Sequence, residues 1–198
     1  HAPWKIFLPI SSNASVLAIA LSANHLFNLA LSYPHIHVHR CTDQDLRWAL
    51  RNAQMLGLEA RFQPISGLEN PEPSFQAVAV NVDCAAGVDP SLILPLLEPG
   101  GTVIWTGLRE HLPSSSDLAA QGYQNVSRYV LLPPQESKVI IPLKDTRFTS
   151  ACLDLYTPGK WYHRAALRMG RFLVKAGFQN ELGKNQVLVA RKPGVPSR

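Results

Sequence analysis

Short apolar runs alternate with helical patterns through the first half of the chain, and this rhythm restricts the fold more than any other feature. Residues 16–21 read VLAIAL: short, apolar and ended by Ser22 and Asn24, as a buried strand is. Residues 25–31 form a short helical pattern stopped before Pro34, and residues 36–39 read as a second strand. Residues 43–56 make the clearest helix. Leu46, Ala49, Leu50, Ala53 and Leu56 keep the 3.6-residue period, Thr42 or Asp43 suits the cap, and Gly57 is placed to end it. A third strand is expected over 59–64, a loop over 66–74 and a fourth strand over 75–82. Asp89 and Pro90 open a helix over 90–97, residues 98–101 read as a turn, and residues 102–108 as a fifth strand. Strands separated by helices at this spacing predict βαβ units. The expected fold class is therefore α/β, with a doubly wound, mainly parallel sheet.

The last third is less regular. A helix is expected over 116–122, strands over 126–132 and 139–143 around Pro133 and Pro134, a helix over 159–176, and a final strand over 186–191. The reading is one domain over 1–198 with a late helical insertion at 138–184. A long insertion in a compact domain usually has a role. This one either caps a pocket mouth or forms a docking surface, with Tyr156, Trp161 and Tyr162 as its natural aromatic contacts.

With 198 residues, 46% of them hydrophobic and 17% charged, the chain can bury one core and is not compositionally disordered. No apolar run reaches the ~18 residues of a membrane span. No signal peptide is visible, and a start at His1 suggests a processed chain or an excised domain. Cys41, Cys84 and Cys152 are widely spaced and odd in number, which points to a reducing compartment and a cytoplasmic location. A net charge of +5 permits an anionic partner without requiring one.

Three stretches resemble class I S-adenosylmethionine (SAM) methyltransferases. They are the strand–turn–helix–strand unit over 16–40 with the following Ala49-Leu50-Arg51-Asn52-Ala53 and Leu56-Gly57-Leu58; the strand over 75–82; and Leu97-Glu98-Pro99-Gly100-Gly101 leading into strand five. The resemblance implies a SAM site at the first loop, but the lining differs from that family's pattern. Its strand-end acid falls at Ala18, and its loop glycines fall at Ala20, Ser22 and Asn24. The carboxylate that accepts both ribose hydroxyls falls at Arg40, which has five donors and no acceptor. The adenine-side polar residue falls at Ile65 or Ser66. The resemblance with these departures implies a degenerate methyltransferase-like domain, a binding or scaffolding module with weak or no SAM binding. The alternative is an active SAM-dependent enzyme with an atypical loop. A third reading has Arg40 recruiting a different anionic nucleotide.

Other residues carry candidate chemistry. Asn81 and Asp83 follow the fourth strand, where α/β sheets bind ligands, and either contact a substrate or cap the next loop. His35, His37 and His39 alternate along one strand face with Cys41 in the same parity; a half-exposed face is expected there, without a metal. Lys160, His163, Arg164, Arg168, Arg171 and Lys175 form a basic stripe on the late helix, with Arg164, Arg168 and Arg171 as the expected partner contacts. The expected partner is another protein or a larger multidomain chain, with a small-molecule substrate as the alternative. No RRM or KH signature points to nucleic acid. Neither a Gly-x-Ser-x-Gly elbow nor a P-loop is present.

Overall fold

Strand β1 (Ser15–Ile19) has no charge and buries four of its five residues. Its side chains alternate: Val16 and Ala18 pack into one layer, Leu17 and Ile19 into the other. A strand buried on both faces needs cover on both sides. In the computed structural model, which describes residues 3–9, 13–68, 75–85, 88–132, 139–143, 145–155, 161–178 and 181–194, helices supply that cover.

Five strands run parallel: β1, β2 (His35–His39), β3 (Phe62–Pro64), β4 (Phe75–Asn81) and β5 (Leu97–Leu108). β8 (Asn185–Arg191) lies antiparallel between β5 and β6 (Gln124–Leu132), and β7 (Val139–Pro142) pairs antiparallel with β6. The order is β3-β2-β1-β4-β5-β8-β6-β7. Helices α1 (Ala23–Ala30) and α2 (Asp43–Gln54) cover one face through Leu26, Leu29, Ala49 and Ala53. A single-turn helix at Pro3–Phe7 adds Trp4 to the same layer. α3 (Pro90–Ile93) and α4 (Ser115–Ala120) cover the other face through Ile93 and Leu118. α5 (Thr146–Leu155) and α6 (Trp161–Lys175) build a third cluster with β6 and β7, joining Leu153, Leu167 and Val174 to Val130 and Ile141. The sheet is doubly wound and mainly parallel, as expected.

Several expectations need correction. The helix at Pro90 ends at Ile93, because Pro95 lacks the N–H that would continue it. The turn at 98–101 is a bulge inside β5: Phe75 pairs with Leu97 and Ala77 with Thr102, so the intervening residues leave the ladder. Residues 59–61 form a 3-10 turn, and β3 begins only at Phe62. α5 was not expected; Asp145 caps it by accepting the Phe148 N–H at 2.7 Å. The loop at 69–74, Pro133, Pro134, Tyr156 and Lys160 lie outside the described residues, as do the side chains of Trp161 and His163.

The histidine face is covered rather than half-exposed. His35 is exposed, but His37 sits edge-on to Phe75 with ring centroids 5.0 Å apart, and His39 Nδ1 lies 3.2 Å from the Ile65 carbonyl. Burial, then the neighbouring His35, holds the His37 imidazole below its usual range. The unfolded chain therefore binds that proton more readily. The stability linked to His37 is full above the ordinary histidine pKa of about 6.5 and is lost as pH falls below it. Burial lowers His25 in the same way. The melting temperature is expected to drop between neutrality and about pH 5, and His37→Phe to flatten that drop. An identical pH slope in the variant would exclude His37 as a source.

Candidate functional site

A doubly wound sheet offers ligands the C-terminal ends of its strands, beside the point where the strand order reverses. That point lies between β1 and β4. The loops leaving β1, β2, β4 and β5 gather there; they carry Ala20, Ser22, Arg40 and Asp83, with Asn81 at the end of β4 and Asn24 in the first turn of α1.

Ala20 and Arg40, the first residues after β1 and β2, both have φ of +54°. A left-handed conformation costs a residue with a Cβ about 1–2 kcal/mol. The first loop thus has a glycine-type backbone at a position that carries alanine. Two of its amides are occupied. The Ala20 N–H donates to the His39 carbonyl at 2.9 Å, and the Ala23 N–H donates to Asp45 Oδ1 at 2.9 Å. The Thr42 hydroxyl donates to Asp45 Oδ2 at 2.7 Å and accepts the Asp45 N–H at 3.0 Å. One carboxylate therefore ties the start of α1 to the cap of α2. Ser22 is the N-cap residue of α1 but makes no side-chain cap bond. Ala20 and Leu21 are buried, whereas Asn24 and Arg40 are exposed. Cys41 lies against this loop. Burial pushes its thiol up to about 11, against a smaller opposing effect of the Leu21 N–H.

Asn81 caps the loop after β4: its Oδ1 accepts the Asp83 N–H at 3.1 Å, and its Nδ2 faces Cys84 Sγ at 3.6 Å. Asp83 does more. Its carboxylate accepts the Leu108 N–H at 2.9 and 3.2 Å and meets His111 Nδ1 at 2.8 Å. His111 was missed in the sequence because no short-range pattern links it to Asp83. The β4–β5 ladder brings them together, setting Asn81 opposite Thr106. Gly107 makes the approach feasible: a Cβ there would stand 2.7 Å from Val82 Cγ2 and 2.8 Å from Asp83 Oδ1. The pair borders a cavity of about 430 Å³ lined also by Val82, Ala85, Val88 and Trp105. With Nδ1 engaged by a carboxylate, Nε2 is the imidazole atom left for acid–base work.

A second cavity, of about 600 Å³, opens at the opposite end of the sheet, around Phe7, Gln76, Gly101 and Tyr129. Neither cavity is lined by Ala20, Ser22, Asn24 or Arg40, and neither by any residue of α5 or α6. The basic stripe on α6 divides. Arg164 and Arg168 are exposed, while Arg171 bonds Asp154 at 2.9 Å and the Leu153 carbonyl at 3.2 Å, which holds α6 to α5. Among the described residues no group of three or more His, Cys, Asp or Glu is placed to hold a metal ion, and all three cysteines are free thiols. No described helix is long and apolar enough to cross a membrane.

No family model and no curated protein matches the chain. Solved structures do. The 4+2 cyclase SpnF aligns over 96% of this chain and 79% of its own, at 15% identity and a TM-score of 0.57. Phosphoethanolamine N-methyltransferase 2 of Haemonchus contortus, in complex with SAM, aligns over 97% of this chain at 16% identity and a TM-score of 0.54. This chain spans 51% of that enzyme's length. A SAM-dependent methyltransferase from Thiobacillus denitrificans, in complex with S-adenosylhomocysteine, aligns over 96% of this chain and 89% of its own, at 16% identity and a TM-score of 0.53. These likenesses show the fold: that of class I SAM-dependent methyltransferases.

Proposed function

We propose that this chain, a domain with the methyltransferase fold, has lost the grip on adenosine and works as a binding or scaffolding module with weak or absent SAM affinity. The observation that carries this reading is the state of the first loop. Its Ala23 amide is taken by Asp45, and Ala20 and Leu21 are buried. At the end of β2 stands Arg40, which offers only donors where ribose hydroxyls need an acceptor. The residues present therefore do not fit SAM. Each buried polar group of a ligand left unpaired costs about 1–3 kcal/mol, so two such losses lower affinity by roughly two or more powers of ten.

Calorimetry with SAM and with S-adenosylhomocysteine tests the reading. A flat response at millimolar ligand is expected, and Arg40→Asp should leave affinity absent or raise it. Micromolar binding by the natural sequence would overturn the proposal.

A second reading draws on the Asp83–His111 pair. In an active methyltransferase with an atypical loop, Asp83 would orient His111, and Nε2 would hold the proton of a nucleophile seated in the 430 Å³ cavity. Methyl transfer to any acceptor that is abolished by His111→Gln would favour this reading.

A further inference from the structure

Helix α6 carries three separate stripes. At about 100° per residue, Leu167, Gly170 and Val174 share the inward side, and Leu167, Gly170 and Val174 are all buried. Arg164, Arg168, Arg171 and Lys175 follow one another at spacings of three and four along a second line. Tyr162, Ala165, Ala166, Met169 and Phe172 form a third, apolar arc, about 120° wide; Leu173 lies at its inner side and packs half-buried against the third cluster. This third arc is exposed: Tyr162 by 45%, Met169 by 61% and Phe172 by 66%. Phe178, just beyond the helix, is 58% exposed as well. An amphipathic helix ordinarily turns its one apolar face inward. This one has a second apolar face, turned outward beside a row of cations.

We propose that α6 is an interfacial helix that seats this domain on an anionic lipid surface. Tyr162, Met169 and Phe172 would enter the headgroup boundary, and Arg164, Arg168 and Lys175 would meet lipid phosphates. Two observations favour a bilayer over a protein partner. No acidic residue lies on α6, and the neighbouring Asp154 is already paired with Arg171, so the helix itself carries only positive charge. Apolar and aromatic residues flanked by long cationic side chains are the composition that lies flat in a membrane interface, with the cations reaching outward along their stems. The proposal goes beyond the loss of adenosine binding and stands whether or not SAM binds.

The test is co-sedimentation of the whole chain with large vesicles of phosphatidylcholine, with and without phosphatidylserine. Binding is expected with phosphatidylserine and not without it, weakening as salt is raised. Arg164→Gln and Arg168→Gln should each lower partitioning roughly fivefold. Phe172→Ser combined with Met169→Ser should lower it more than tenfold while leaving the melting temperature unchanged, because both positions are exposed. In a Met169→Trp variant the added indole emission should shift to the blue on phosphatidylserine vesicles alone. Absence of vesicle binding at low salt, or binding indifferent to Phe172 and Met169, would overturn the proposal. Capture of polyglutamate without vesicle binding would also overturn it, and would assign the stripe to an acidic protein.

Discussion

Trp105→Ala is expected to destabilise this domain by about 3–5 kcal/mol, a large part of the 5–15 kcal/mol that holds a typical domain together. Trp105 lies in β5, paired with Val80 on one side and Leu188 on the other, and is 1% exposed. Its ring meets Tyr123 edge-on, with centroids 5.4 Å apart. Truncation would remove that aromatic contact and leave a void next to the existing cavity, between rigid strands that cannot close it. For a chain of this size the melting temperature should fall by roughly 10 °C. Urea unfolding gives the check: the midpoint should drop while the slope with denaturant stays constant. A loss below about 1 kcal/mol would mean that Trp105 is not packed as described.

Gly107→Ala is expected to cost more than about 2 kcal/mol. Its φ is +151°, and the added methyl would press on Val82 and Asp83 within 3 Å. The carboxylate would have to leave the Leu108 N–H and His111. Gly57→Ala is the matched comparison. Gly57 also has a positive φ, +67°, but nothing stands within 4 Å of a Cβ there. It should lose only the backbone cost of about 1 kcal/mol. Equal losses at the two positions would show that the crowding between β4 and β5 is unimportant.

The parallel half of the sheet was legible because its strands are short apolar runs, and because helix α2 announces itself with a Thr42 cap and a regular period. α5 was not. Only Thr149 and Leu153 are buried in it, and its threonines and serine favour helix weakly, so tertiary packing decides. The β5 boundary was hidden for a different reason. Glycines and a proline mark a bend at 98–101, and local chemistry cannot say that the bend lies within a strand. The candidate site divides in the same way. That positions 20, 22 and 24 carry Ala, Ser and Asn could be read directly. That Ala20 adopts a positive φ, or that Asp45 reaches across to the Ala23 amide, depends on contacts between elements. The Asp83–His111 pair is 28 residues apart and needs the β4–β5 ladder to exist first.

The two outermost strands have a consequence for self-association. β3 has three residues and β7 four, and each closes on a proline, Pro64 and Pro142. Such borders give an incoming strand few amides to zip onto, and a proline donates none. Both margins are therefore poor templates for sheet extension.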